Sequence, residues 1–291
     1  MKCIFCGSET IDSKSVEHII PQSFGNTKTI LRRGIVCDKC NNYFAIKIEQ
    51  PFLSKKSSQF LKKELGIENK KGKIPSIQDY PEEIDQVRHV SENTFLYFAK
   101  EDNVASETIE KAVKKFWNYN SLIDKEAYSK DNNTARLLAK MAVEYFVFSC
   151  GQSKAVCDYV RTDPFFESII KFVRYDSTIH WDYHVRRYYP LNMPHNGNLF
   201  DEINYECDFL FSPNGEVFFV IIMFGIEYVI NMCSYSVKGY VNWIKKHNGL
   251  SPLYLTKNER AKEFKKYARR VYGSSKYITH PELYLNDNDA I

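Results

Sequence analysis

Several things are missing from this 291-residue chain, and each absence narrows what it can be. No run of about twenty apolar residues occurs, and the nearest, Val217 to Ile230, is short and carries Glu227, so no membrane-spanning helix is expected. No charged start followed by an apolar run precedes Cys3, so an ordinary secretory signal is not expected either. Free thiols in such a chain point to a reducing, cytoplasmic setting. A strong charge of one sign is also lacking: a net +4 permits nucleic-acid binding without arguing for it, and any phosphate-binding surface must come from local clustering. There is no internal repeat and no Gly-rich phosphate loop. Apolar residues are plentiful, at 44% of the chain with 15% aromatic, enough for a real core, and the length favours two domains over one.

What is present is concentrated between Cys3 and Leu53. Cys3-x-x-Cys6 and Cys37-x-x-Cys40 stand about thirty residues apart, the spacing of a structural zinc site in which four thiolates surround the ion and close it to water. Between the pairs lies Glu17-His18-Ile19-Ile20-Pro21-Gln22-Ser23-Phe24-Gly25-Asn26, and Asn41 follows the last cysteine. Hydrolysis of a phosphodiester needs a base for water, neutralisation of charge on the phosphate and stabilisation of the leaving oxygen; a histidine and one oxygen-ligated hard cation can do all three. Glu17 offers an anionic oxygen, His18 a base that titrates near neutral pH, and Asn41 a neutral carbonyl oxygen. Neighbours on a regular strand point to opposite faces, so a distortion or a loop end is expected at Glu17-His18, and Pro21 suits the point where the strand stops. A helix from Asn41 to about Ile48, with Phe44 and Ile48 inward, would start from the second cysteine pair.

This arrangement resembles the HNH endonuclease family, whose fold is a ββα-metal finger. Glu17-His18-Ile19-Ile20-Pro21 looks like the family's acidic-His-hydrophobic-x-Pro signature, and Cys37-x-x-Cys40-Asn41 looks like its second zinc knuckle followed by a metal ligand. The run His18 to Phe24 is similar to the HNH domains of RNA-guided DNA-cutting enzymes. The resemblance implies that Cys3, Cys6, Cys37 and Cys40 hold a structural Zn2+, that Glu17 and Asn41 ligate a catalytic Mg2+ or Mn2+, and that His18 activates the attacking water. It implies double-stranded DNA as substrate. One finger cuts one strand, so a double-strand break would need a homodimer or two encounters. A restriction or phage-defence role, with a defence-system partner, fits such a layout by analogy. Two departures stand out. Glu occupies a position more often held by Asp, and the family's middle Asn has no counterpart before Cys37, where Leu31 to Val36 stands; Asn26 or Thr29 is its substitute. Asn42 competes with Asn41 for the ligand role. The resemblance covers about the first fifty residues.

Beyond the finger, Ser54 to Lys73 is rich in lysine, with Lys55, Lys56, Lys62, Lys63, Lys70, Lys71 and Lys73; it is either a phosphate-tracking surface or a solvated linker, carried by a short helix and a loop. Phe95-Tyr97 suits a strand. Helical periodicity follows, with Ile109, Ala112, Val113 and Phe116 after Ser106 as cap, Leu137, Leu138, Met141, Ala142 and Tyr145 after Asn133-Thr134, and Phe166, Ile169, Ile170 and Val173 after Asp163-Pro164. Alternation would place His180, Asp182 and His184 on one side of a strand, where a second metal or phosphate cluster competes with an ordinary polar face. Arg186 and Arg187, beside Tyr188 and Tyr189, are either nucleic-acid contacts or buried ion-pair partners; His195 lies beyond them. Ser212-Pro213-Asn214-Gly215 marks a hairpin. Cys150, Cys157, Cys207 and Cys233 have no ligand spacing and read as buried small residues. The helix from Lys257 to about Tyr272 carries Lys265 and Arg269 outward, with Ala261, Phe264, Ala268 and Val271 inward, and is a second candidate for phosphate contact.

The expected fold is therefore α+β: an N-terminal zinc-stapled ββα finger over 1–53, a basic linker with short strands over 54–105, and a larger helix-plus-antiparallel-sheet domain over 106–291 that binds substrate or regulates. The rival to a nuclease is a zinc-dependent binding module that clips nucleic acid or protein without chemistry. A third reading keeps the nuclease and makes the second domain a sensor.

Overall fold

In the computed structural model, residues 1–69, 72–91, 94–175, 178–188 and 205–272 are described. Lys70, Lys71, Tyr189, His195 and the tail Asn286–Asp289 lie outside the described residues.

The finger is built from tight turns. The Cys3 amide bonds to the Ser8 carbonyl and the Gly7 amide to the Cys3 carbonyl, both at 2.9 Å, with Gly7 in the left-handed region (φ 71°) that only glycine enters freely. Two extended segments then meet at His18 opposite Ile30. The Leu31 amide bonds to the Glu17 carbonyl at 2.9 Å and the Ile19 amide to the Thr29 carbonyl at 3.1 Å. Pairing goes no further because Pro21 has no donor. Helix α1 (Asp38–Phe44) starts earlier than the expected Asn41, since the Cys37 sulfur caps it by accepting from the Cys40 amide. It runs on as a π-turn over Ala45–Glu49 and a last turn α2 (Gln50–Leu53). Phe44 and Ile48 are fully buried, as expected.

Helix α3 (Lys56–Glu64) leads to the antiparallel hairpin β1 (Ile84–Ser91) and β2 (Thr94–Ala99), which includes the Phe95-Tyr97 strand. Helix α4 (Ser106–Tyr128) buries Ala112 and Phe116; Ser106 is its first helical residue and not its cap. Helix α5 (Asn132–Ser149) is capped by Asp131, which accepts from the Thr134 amide, in place of the expected Asn133-Thr134. It is apolar nearly all round and correspondingly buried on nearly every side, the condition of a central helix. Two further helices follow, α6 (Lys154–Thr162), which Ser153 caps, and α7 (Pro164–Arg174), which Asp163 caps as expected.

Strands β3 (Tyr183–Arg187), β4 (Glu206–Phe211), β5 (Val217–Met223) and β6 (Ile226–Asn231) make an antiparallel sheet of order β3-β6-β5-β4. The expected hairpin turn is there: Gly215 has φ 85° and its amide bonds to the Ser212 carbonyl at 3.0 Å. Every residue of β5 is buried because both faces are covered. Phe219, Ile221 and Met223 join the α5 core, while Phe218 and Val220 pack on Tyr240 and Trp243 of α8 (Lys238–Lys246). Helix α9 (Lys257–Tyr272) lies on β4, with Phe264, Tyr267 and Ala268 inward; Val271, expected inside, is exposed. The mixed α+β architecture thus matches the expected class. A single apolar core runs from Cys3, Phe24, Phe44 and Ile48 of the finger through α5 and α7 to the sheet.

Candidate active site

The four cysteines expected to share a metal come together. The sulfurs of Cys3, Cys6, Cys37 and Cys40 all lie within 4.8 Å of one another, and those of Cys6 and Cys37 are 3.6 Å apart. Four sulfurs on a tetrahedron at a Zn–S length of about 2.3 Å would be about 3.8 Å apart, so the cage has the right size for zinc. Contact with the Cys40 thiol pulls the Cys3 thiol down to about 5, while the same contact pushes Cys40 up. A helix beyond the finger braces this knuckle: the Arg174 guanidinium of α7 donates to the Cys40 sulfur at 3.3 Å and lies over the Tyr43 ring, 4.2 Å from its centre. Arg136 of α5 donates to the Tyr43 hydroxyl at 2.7 Å.

Asn26 spans the loop between the two extended segments. Its amide nitrogen donates to the carbonyls of Ile20 (2.8 Å) and Thr29 (3.1 Å), and its Oδ1 accepts from the Lys28 and Thr29 amides and from the Thr29 hydroxyl. Of these two residues, Asn26 makes the bonds that bridge the loop and Thr29 is one of its partners. Asn41 stands in the first turn of α1, where its Nδ2 donates to the Val16 carbonyl at 2.9 Å and ties the helix to the residue before Glu17. Asn42, its competitor, is exposed.

Glu17 and His18 sit differently. His18 is half-buried, and its Nδ1 is enclosed with no hydrogen-bond partner. Burial holds the imidazole below its ordinary pKa, opposed by the Asn26 main chain. Glu17 points inward, 5% exposed. Its Oε1 lies 2.7 Å from the Nζ of Lys140 on α5, and its Oε2 is buried with no partner. Lys140 is wholly buried and also meets Glu144 at 3.0 Å and Glu49 at 3.1 Å, and donates to the His18 carbonyl at 3.1 Å. Burial pushes the Glu17 carboxyl up to about 7 against the pull of Lys140. Burial alone would discharge Lys140; Glu144, Glu17 and Glu49 together hold it well above its ordinary value. The π-turn over Ala45–Glu49 precedes α2 and carries Glu49 to this cluster.

The sequence reading did not single out Lys140, Glu49, Glu144, Arg136 or Arg174. A signal was there: Arg136, Lys140 and Glu144 recur every fourth residue in an otherwise apolar helix, and charges so spaced line one face.

The residues expected to meet phosphates divide. Lys56, Lys265 and Arg269 are exposed. Lys55 is half-buried and committed to Asp131 (2.7 Å) and Thr134 (3.0 Å). Lys62 and Lys63 are 7% and 8% exposed, which corrects their reading as surface contacts. The Nζ of Lys63 reaches the Ile84 carbonyl at 3.4 Å and lies over the Tyr80 ring, because α3 is held between α4 and β1. The conceivable cluster of His180, Asp182 and His184 does not form: strand β3 begins at Tyr183, Asp182 pairs with Lys130 at 2.7 Å, and the His184 ring lies against Tyr240. Arg186 and Arg187 are ion-pair partners, of buried Glu227 and of Asp124 respectively. Of the four remaining cysteines, Cys157 is buried, Cys150 and Cys207 half-buried; Cys233 is exposed, contrary to expectation.

Among curated proteins and among solved structures, none matches this chain. A family model does, and its extent coincides with the finger just described: residues 3–57 match the HNH endonucleases. The match takes in both cysteine pairs, Glu17-His18, Asn26, Asn41 and Glu49. It is this N-terminal segment, residues 3–57, that is similar to the HNH endonucleases.

Proposed function

We propose that the protein is a metal-dependent endonuclease that hydrolyses phosphodiester bonds in double-stranded DNA, with Glu17, His18 and Asn41 as its working residues and Zn2+ as a structural ion among the four cysteines. The observation that carries this reading is the pair of enclosed, unpartnered atoms on adjacent residues, Glu17 Oε2 and His18 Nδ1, which are joined in the finger by Ser23 Oγ five residues further on. An enclosed polar atom without a partner is costly, and such atoms concentrate where a ligand or a proton is expected.

The donors suit a hard divalent ion. Glu17 through Oε2 and Asn41 through Oδ1 would hold Mg2+ or Mn2+; a hard cation so held supplies charge neutralisation at the phosphate and at the departing oxygen. The protein's own part is positioning and proton transfer. Asn41 is oriented by its bond to Val16, one residue from Glu17. His18, whose imidazole burial holds below its ordinary value, accepts the proton of the attacking water. Asn26 keeps the loop after His18 closed. Arg32 and Arg33, exposed just past the segment that pairs with Glu17, and exposed Lys56 would meet the backbone of the substrate in this reading.

The wider role follows by analogy of layout: a cytoplasmic nuclease of restriction or phage defence, cutting one strand per finger, so that a double-strand break takes a dimer or two encounters. Supercoiled plasmid incubated with the protein and Mg2+ or Mn2+ should be nicked, and His18→Ala should abolish nicking while zinc content and melting temperature stay put. Plasmid that remains supercoiled across divalent metals while still being bound would replace this reading with the non-catalytic binding module.

A further inference from the structure

We propose that Lys140, on α5 and outside the family segment, is a positioning residue of the nuclease site, holding the Glu17 carboxylate and the His18 main chain in fixed relation. The inference rests on the nuclease reading of Glu17 and His18, and on geometry.

Lys140 is completely buried, and a buried ammonium is retained only where acceptors surround it. One carboxylate is enough to neutralise it, and Glu144, one turn further along the same helix at 3.0 Å, supplies that locally. The remaining contacts all reach into the finger: Glu17 Oε1 at 2.7 Å, Glu49 Oε1 at 3.1 Å and the His18 carbonyl at 3.1 Å. An ammonium has three protons, so these acceptors share them, and the shortest contact is the one to Glu17.

The effect on Glu17 is specific. A carboxylate with both oxygens free can exchange them by rotation; with Oε1 pinned to Lys140, Oε2 keeps one direction, and Oε2 is the enclosed oxygen that has no protein partner. The bond to the His18 carbonyl fixes the peptide between His18 and Ile19, so the main chain that carries the imidazole is held by the same ammonium that holds the Glu17 carboxylate. Strand pairing cannot do this here, because it ends within two residues of His18 on either side. Asn41, on α1, pins the peptide between Val16 and Glu17 through the Val16 carbonyl. The finger thus presents its chemistry only when α5 is docked against it.

The test compares full-length, zinc-loaded variants. Because Lys140→Met alone strips Glu17, Glu49 and Glu144 of their counter-ion and puts folding itself at risk, the deciding pair is Glu49→Gln/Glu144→Gln with Lys140 present and the same double variant with Lys140→Met added. Two readouts are taken on each: Mn2+ affinity from the electron paramagnetic resonance signal of free Mn2+, and the plasmid nicking rate at saturating Mn2+. Zinc stoichiometry and plasmid Kd serve as controls. Loss of Lys140 should weaken Mn2+ binding at least tenfold and slow nicking at least tenfold, with zinc unchanged and plasmid Kd within twofold; Lys140→Arg should recover part of both. A folded triple variant that matches the double variant in Mn2+ affinity and nicking would overturn the inference and leave Lys140 a packing residue, with the nuclease reading intact. Wild-type protein that neither binds Mn2+ nor nicks would remove the nuclease reading, and the role of Lys140 with it.

Discussion

At the scale of single residues, Asn26 shows how much order one side chain imposes. It closes a loop that has no strand ladder to hold it, using both faces of its amide. Removing it leaves the Ile20 carbonyl and the Thr29 amide without partners in a buried place, each at a cost of about 1–3 kcal/mol. Asn26→Ala is therefore expected to lower stability by roughly 2–4 kcal/mol on the same reasoning, read as a shift of the urea midpoint, and to slow nicking. An unchanged midpoint would mean the loop is held by something else. The residue scale is also where reading by type fell short. Lysines 62 and 63 look like any solvated pair in the sequence, yet both are buried, and the Lys63 ammonium reaches the Ile84 carbonyl of the hairpin. Long cationic side chains bury their methylenes whenever the ammonium finds a carbonyl or an aromatic face.

At the scale of elements, α3 is tied to the hairpin by Glu64, which is wholly buried and accepts from the Val87 amide at 2.8 Å. Burial pushes its carboxyl up from 4.5 to about 7. A carboxyl whose pKa is raised by folding contributes stability that is fully present below about 4.5 and is lost as pH rises through about 7. The loss amounts to about 3 kcal/mol by the usual conversion of pKa shift to free energy. Glu64→Gln keeps an acceptor for Val87 and removes the titration, so its stability relative to wild type should improve between pH 4.5 and pH 8. Urea midpoints that fall in parallel for the two proteins across that range would refute this. The same scale explains which elements were legible. Helices α4, α5 and α7 follow apolar periodicity, and the β4–β5 hairpin follows Asn214-Gly215. Helices α6 and α8 are short and were passed over, although Ser153 caps α6 through the Val156 amide. Caps proved harder to place than helices: Asp131 outcompetes Asn133-Thr134 because its carboxylate reaches the Thr134 amide and Lys55 together.

At the scale of the whole molecule, the finger and the rest share one core. Tyr205 bonds to the Phe24 carbonyl and Phe24 stacks edge-on against Phe224, so the finger's loop touches the sheet as well as α5 and α7. If the four cysteines hold zinc, its removal should not unfold the finger alone. Metal analysis is expected to give one zinc per chain, and chelation is expected to lower the melting temperature of the entire protein in a single transition, because metal binding and folding are coupled through a common core. Two well-separated transitions after chelation would show that the finger melts independently.

The sequence by itself determined the chemistry on offer: four sulfurs at zinc spacing, and a carboxylate, an imidazole and an amide between and beside them. These are properties of local spacing, which covalent geometry carries unaided. Tertiary structure alone decided how they are used. A buried charge must find its partners across the chain, and no local pattern says which ones; Lys140 meets Glu17 over 123 positions of sequence only because α5 docks on the finger and leaves that ammonium nowhere else to go.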